Sequence, residues 1–143
     1  MQETHKLLEI YTDGGSRGNP GPAGIGVYAI SCGTEVFTIS EAIGVTTNNV
    51  AEYTAVIRSL EKILEKEIIV EKLKYTLDSE LIVRQILGKY KVKLPHLKLL
   101  RHKVVSLIKE LHDKKQIQLI SFNTVPRELN KNADSLVNEA LDR

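Results

Sequence analysis

The sequence predicts an α/β domain on a mixed five-stranded sheet, with elements in the order βββαβααβα. Three observations carry this. The first 45 or so residues are short apolar, β-branched runs punctuated by glycine and proline. From about residue 48 the apolar positions switch to helical spacing. Two later β-branched runs are each reached through helical stretches, as parallel crossovers require.

Residues 7–12 (LLEIYT) read as a strand that runs into Asp13. Residues 14–26 hold six of the nine glycines together with Pro20 and Pro22, the composition of a loop or hairpin connection. Residues 25–30 and 35–42 read as two further strands joined around Gly33, which suggests an antiparallel three-stranded opening. Asn48 or Asn49 can cap a helix running to about Lys66. Its apolar positions Ala51, Ala55, Leu60, Ile63 and Leu64, with Val56 and Ile57, fit helical spacing. Residues 68–77 read as a strand ending at Asp78, and 79–87 as a helix with Gly88 near its end. Pro95 opens or precedes a helix over about 96–112, with Leu97, Leu100, Val104, Leu107, Ile108 and Leu111 on one side. Residues 116–122 form the fifth strand, 123–130 a loop around Pro126, and 130–141 a last helix containing Asp134.

The 143 residues suit a single domain, 1–143, long enough to bury a core. With 5% aromatics and no tryptophan, that core must be built mainly from Ile, Leu and Val. No apolar run approaches the ~20 residues of a membrane span, and the N-terminus lacks the basic start and apolar stretch of a signal peptide. Cys32 is the single cysteine, which excludes an internal disulfide and any metal site built on several cysteines. A reducing, cytoplasmic setting fits. Cys32 itself reads as unreactive packing in a turn. His5, His96, His102 and His112 lack ligand spacing with one another and read as structural or surface residues.

Net charge is +2, but residues 74–115 carry eleven Lys/Arg against four Asp/Glu. Within this region, residues 89–103 hold six basic side chains, two histidines and no acid. Such asymmetry points to a polyanionic partner, although charge alone does not separate that from a solvated helical face.

Four acids stand at element boundaries. Asp13 follows the first strand, Asp78 follows the fourth, Glu52 lies one turn into the first helix and Asp134 lies early in the last. If the first and fourth strands are neighbours, Asp13 and Asp78 emerge side by side, and a helix turn at each flank can add Glu52 and Asp134. Clustered carboxylates raise one another's pKa unless a cation neutralises them. Mg²⁺ is a hard ion that prefers oxygen ligands and phosphates. Two such ions about 3.5–4 Å apart can clamp the attacking and leaving oxygens of a phosphoryl displacement. Taken singly, each acid is equally an ordinary helix first-turn or strand-end residue.

The surrounding words change that balance. IYTDGGSRGNPGPAGIG at 10–26, TTNNVAEYTAVIRSL at 46–60, LDSELIVRQI at 77–86 and VPRELNKNADSLVNEA at 125–140 resemble type 1 ribonuclease H in order and spacing. The resemblance covers nearly the whole chain and implies the ribonuclease H-like fold. It also implies a metal-dependent endonuclease that cuts the RNA strand of RNA/DNA hybrids and leaves 5′-phosphate and 3′-hydroxyl ends. Asp13, Glu52, Asp78 and Asp134 match the family's metal-binding acids, with two Mg²⁺ ions implied when substrate is bound and Mn²⁺ as the alternative. Gly14, Ser16, Asn19, Asn48 and Asn49 match positions that contact the nucleic-acid strands, including RNA 2′-hydroxyls, the groups that distinguish RNA from DNA. Thr47 matches a residue of a pocket for a DNA phosphate, and Ser79 adjoins the third acid as in the family.

Two departures stand out. Many relatives place a histidine in the loop before the last acid, and here residues 123–132 contain none. Arg127 stands nearest that place, in a VPRE word similar to the archaeal and plant-like branch. It can fork onto phosphate but is a poor general base, so an auxiliary catalytic role rests on phosphate contact. The basic helical protrusion of some relatives is reduced to GKYKVKLP at 88–95, in which Lys89, Lys91 and Lys93 are expected to grip phosphates without regard to sequence. A separate N-terminal hybrid-binding domain is not expected within these residues. The expected partner is an RNA/DNA hybrid, with no membrane, no obligatory protein partner and a monomeric chain. Two other readings stay open: a hybrid-binding module without catalysis, and a same-fold nuclease that also cuts double-stranded RNA.

Overall fold

The computed structural model describes residues 3–143. The elements are β1 (Thr4–Ser16), β2 (Gly21–Ser31), β3 (Thr34–Thr46), α1 (Asn48–Glu65), β4 (Ile69–Leu77), α2 (Glu80–Ile86), α3 (Pro95–Asp113), β5 (Ile117–Thr124) and α4 (Lys131–Asp142), with a 3₁₀ turn at Arg127–Leu129. The expected order holds. The sheet order is β3-β2-β1-β4-β5. The first three strands are antiparallel neighbours, and β4 and β5 run parallel to β1. Among the described residues, no helix is long and apolar enough to cross a membrane.

The glycine-rich stretch departs from expectation. Read as a loop or hairpin connection, most of it is sheet: β1 continues through Asp13 to Ser16, and Asp13, Gly14 and Gly15 pair with Gly26, Ile25 and Gly24 of β2. Only residues 17–20 turn, closed by the Arg17 amide donating to the Pro22 carbonyl at 2.8 Å. The glycines serve close packing. A Cβ on Gly26 would lie 2.1 Å from the carbonyl oxygen of Ala133 in α4, and one on Gly14 would lie 2.3 Å from the carbonyl of Ala51 in α1. Helices therefore press on the sheet from both faces at the level of Asp13. β3 likewise runs past its expected end at residue 42, to Thr46.

The helix boundary before α1 also shifts. The cap is Thr47, whose hydroxyl accepts from the Val50 amide at 3.3 Å, rather than Asn48 or Asn49. Asn48 cannot cap, because its Oδ1 is already taken by both the amide and the hydroxyl of Ser16. α3 begins on Pro95, where a missing N–H costs nothing.

The α1 face of the sheet carries most of the core. Leu8, Ile10, Leu60, Ile63, Leu73, Tyr53 and Tyr75 are fully buried, each large apolar side chain contributing roughly 1.5–3 kcal/mol on leaving water. The two buried tyrosines keep their hydroxyls bonded, Tyr53 donating to Gln85 Oε1 at 2.7 Å and Tyr75 donating at 2.6 Å to Ser59 Oγ, whose own proton goes to the Val56 carbonyl. The first of these bonds ties α1 to α2 one residue from Glu52. Cys32, expected as packing, instead stands exposed at the β2–β3 turn with φ of 51°. That hairpin needs a left-handed residue there, and the conformation turns the side chain outward.

Candidate active site

β1 and β4 are parallel neighbours with an offset that sets Tyr11 against Thr76, so Asp13 and Asp78 come level two residues later, where β4 ends and β1 runs on against β2 alone. Glu52 reaches them from the first turns of α1. One carboxylate oxygen from each of Asp13, Glu52 and Asp78 lies within 4.8 Å of the others. Asp134, on the first turn of α4, is not within that distance of all three but lines the same cleft and acts on Asp13 through its charge and a side-chain hydrogen bond. The structure thus brings all four expected acids to one place, three of them tightly.

Asp13 is 4% exposed and Glu52 7%. Burial, then the charges of Asp78 and Asp134, push the Asp13 carboxyl up to about 7. Burial first, then Asp13, holds Glu52 well above the usual carboxylate range. The Gly14 amide donates to Glu52 Oε1 at 3.2 Å, while Glu52 Oε2 is buried with no partner. Among the described residues, none of the ion pairs involves any of the four acids. Crowded carboxylates, an orphaned buried oxygen and no basic partner form a donor set that fits a hard divalent cation.

A cleft of about 400 Å³ surrounds the acids, lined by Asp13, Gly14, Gly15, Ser16, Arg17, Asn48, Asn49, Glu52, Asp78, Ser79, Arg127, Asp134, Val137, Asn138 and Leu141. Gly14, Ser16, Asn48, Asn49 and Ser79, half of the expected contact residues, are therefore together. A chain of bonds sets the rim: the Asn48 amide donates to Asn19 Oδ1 at 3.0 Å, and Asn48 Oδ1 accepts from the Ser16 amide at 2.9 Å. The oxygens of Asn19 and Asn48 are spent inside the protein, so Asn48, which lines the cleft, can offer a ligand its Nδ2 donor. The Gly14 amide is likewise engaged by Glu52, leaving its carbonyl as acceptor. Ser79 caps α2, accepting from the Ile82 amide at 3.3 Å. Thr47 caps α1 and Asn19 holds its first amide, yet neither side chain lines the cleft.

Lys89, Lys91 and Lys93 are exposed and are not among the residues around the acids. They follow α2, whose seven residues span about 10 Å. Lys91 instead lines a second cleft of about 480 Å³, with Tyr90, Lys98, Arg101 and His102.

Asn130 was missed from sequence. It is 1% exposed, and its Nδ2 donates to the Thr12 carbonyl at 2.9 Å and to Asp78 Oδ2 at 3.1 Å. It read as an ordinary residue at a helix start. The available signal was its spacing of four from Asp134, which puts both on one helical face. Asn138, four residues further on, lines the cleft as well.

The RNase H family model matches residues 5–142. The chain is similar to the "Bifunctional protein Rv2228c" of Mycobacterium tuberculosis, at 39% identity over 135 residues that cover 93% of this chain and 35% of that protein. It is 38% identical to the "Ribonuclease HI" of Halobacterium salinarum, over 94% of this chain and 64% of that one. The chain therefore spans about a third of the length of the first relative and under two thirds of the second. Among solved structures, LC11-RNase H1 in complex with an RNA/DNA hybrid superposes with a TM-score of 0.86 at 46% identity, covering 94% of this chain and 96% of that one. The RNase H1 of Halobacterium salinarum gives 0.85 at 36% identity, covering 95% and 98%.

Proposed function

The chain belongs to the RNase H family, and from that membership we propose that it is an endonuclease that hydrolyses the RNA strand of RNA/DNA hybrids, leaving 5′-phosphate and 3′-hydroxyl ends. The observation that carries this reading is the convergence of Asp13, Glu52 and Asp78 within 4.8 Å in an open cleft. LC11-RNase H1, which superposes on nearly the whole chain, was solved with such a hybrid bound.

Asp13, Glu52, Asp78 and Asp134 would hold divalent ions, with Mg²⁺ as the proposed metal and Mn²⁺ as its substitute. When bound, such ions supply a nucleophilic water at neutral pH and charge stabilisation at the leaving oxygen. The chain's own residues do the rest. Burial of Asp13 and Glu52 makes them hold protons when no cation is present, so they exchange protons for metal. The Gly14 amide fixes one Glu52 oxygen and leaves the other for a ligand. The Asn19–Asn48–Ser16 chain rigidifies the rim, so the Nδ2 groups of Asn48 and Asn49 and the Gly14 carbonyl meet an RNA 2′-hydroxyl without reordering. Arg127, exposed at the cleft wall, suits the scissile phosphate as an always-charged donor. Lys89, Lys91 and Lys93 lie at a distance and suit phosphates further along the duplex, through contacts that carry no sequence information.

The test is cleavage of one end-labelled RNA strand paired with DNA, paired with RNA, or alone, with Mg²⁺ and with EDTA. Cutting of the hybrid alone, and only with metal, is expected. Binding without cutting under Mg²⁺ and Mn²⁺ would instead support a non-catalytic hybrid-binding module. Equal cutting of the RNA duplex would remove the 2′-hydroxyl contacts as the source of selectivity.

A further inference from the structure

Asn130 occupies the N-cap position of α4, where an asparagine side chain ordinarily accepts a bond from a free helix amide, a contribution of about 1 kcal/mol. It makes no such bond. The side chain turns instead into the sheet, and its Nδ2 donates to two acceptors on different strands: the carbonyl of Thr12, next to Asp13 on β1, and Oδ2 of Asp78, at the end of β4. Its backbone carbonyl meanwhile accepts the amide of Asp134 at 3.1 Å. One residue therefore touches the carriers of three of the four acids. The amide orientation follows from its neighbours. Flipped, Oδ1 would face two acceptors and gain nothing. As placed, Oδ1 is buried without a partner, a cost the residue bears for its two donated bonds.

The geometry points to Asn130 as a positioning residue for metal binding: its neutral amide locks the rotation of the Asp78 carboxylate through Oδ2 and presents the other oxygen to the cation. A neutral donor suits this task. Lysine or arginine there would fix the carboxylate equally well but place a positive charge beside the cation to be bound. Water could donate to Oδ2 but would not tie it to β1. The inference rests on the reading of the four acids as metal ligands.

Mn²⁺ binding to the full chain, followed by the EPR signal of free Mn²⁺ without nucleic acid, tests it. Partners that orient metal ligands change affinity by about 10–100-fold when removed, so Asn130→Ala and the uncharged, similarly shaped Asn130→Leu should each weaken Mn²⁺ by about tenfold or more. In hybrid cleavage, both variants should need more Mg²⁺ for half-maximal rate, with KM for the hybrid little changed. A merely structural staple would lower the melting temperature and leave Mn²⁺ affinity and Mg²⁺ demand where they were; that result overturns the inference. Should the variants fold poorly, the wild-type chain suffices. The side-chain amide resonances of Asn130 in ¹H–¹⁵N spectra should move on Mg²⁺ addition and on Asp78→Ala substitution, and resonances that respond to neither also overturn it. Asp78→Asn separates the two layers. If it leaves Mn²⁺ binding intact, the reading of the acids as ligands fails; if it abolishes binding while the Asn130 variants do not weaken it, only the positioning role fails.

Discussion

Gly14 and Glu52 meet where β1 passes under α1: the Gly14 amide donates to Glu52 Oε1 at 3.2 Å, and a Cβ on Gly14 would lie 2.3 Å from the carbonyl of Ala51. The absent side chain lets the helix come close enough for Glu52 to share a site with Asp13. Gly14→Ala should therefore push α1 outward, lowering stability by roughly 1–3 kcal/mol, the usual range for overpacking. Urea unfolding reads the stability, and Mn²⁺ titration should show weaker metal binding. An alanine variant with normal affinity would separate the close approach from the site.

The buried carboxyls make metal-free stability depend on pH. Asp13 is raised from an ordinary 3.8 to about 7. Raised in the folded state, it binds its proton more tightly folded than unfolded. Its protonation therefore stabilises the fold fully below about 4, and the contribution is lost as pH rises through about 7. Between pH 5 and pH 8 in EDTA the melting temperature should fall, and Asp13→Asn should flatten that fall and be the more stable at pH 8, with a gain in unfolding free energy on the order of a few kcal/mol. Identical pH profiles for variant and wild type would remove the crowding of Asp13 as the cause. Mg²⁺ should raise the wild-type melting temperature at pH 8 and not at pH 5, since protons compete for the same oxygens.

Asp78→Asn keeps the shape of the side chain and removes its charge. Hybrid cleavage should fall by more than the ~10–100-fold typical of losing a supporting partner of a ligand, with the circular dichroism spectrum retained. Near-wild-type turnover in Mg²⁺ would overturn the metal-site assignment.

Replacing Lys89, Lys91 and Lys93 together by alanine should raise KM and leave kcat nearly unchanged. Each lysine that neutralises a phosphate contributes about 0.9 to the slope of log K against log salt on a duplex. The triple variant should therefore show a shallower salt dependence of hybrid binding, by up to about three. An unaltered slope would return these lysines to the role of solvated surface.

Arg127→Ala should reduce kcat modestly, within about tenfold, since an exposed charge at the cleft wall supports one phosphate contact worth roughly 1.5 kcal/mol at most in water. Arg127→Lys should recover part of the loss, because a point charge replaces a fork. An alanine variant as fast as wild type would place Arg127 outside the reaction.

Much of this architecture is written locally. The change from alternating to helical spacing near residue 48, the proline at 95 and the β-branched runs at 68–77 and 116–122 fall within a residue or two of β4, α1, α3 and β5. Asp13 and Asp78 could be paired in advance because acids at the ends of two parallel neighbours must emerge together. The glycine-rich stretch misled, since composition reports that Gly14, Gly24 and Gly26 lack side chains but not whether the lack serves a turn or an approaching helix. The cap of α1 was expected at Asn48 or Asn49 and fell to Thr47 because the outcome turned on Ser16 and Asn19, some thirty residues away.

The sequence by itself determined the element order, the composition of the core, the family and the four acids, because each is carried by local spacing or by contiguous words. Only the tertiary structure decided that three of those acids close to within 4.8 Å with the fourth beside the first, that the first is buried enough to hold a proton near neutrality, and that Asn130 spends its side chain on Asp78 rather than on its own helix. Burial and hydrogen-bond competition depend on what the rest of the chain brings to a place, and no window of neighbouring residues contains that information.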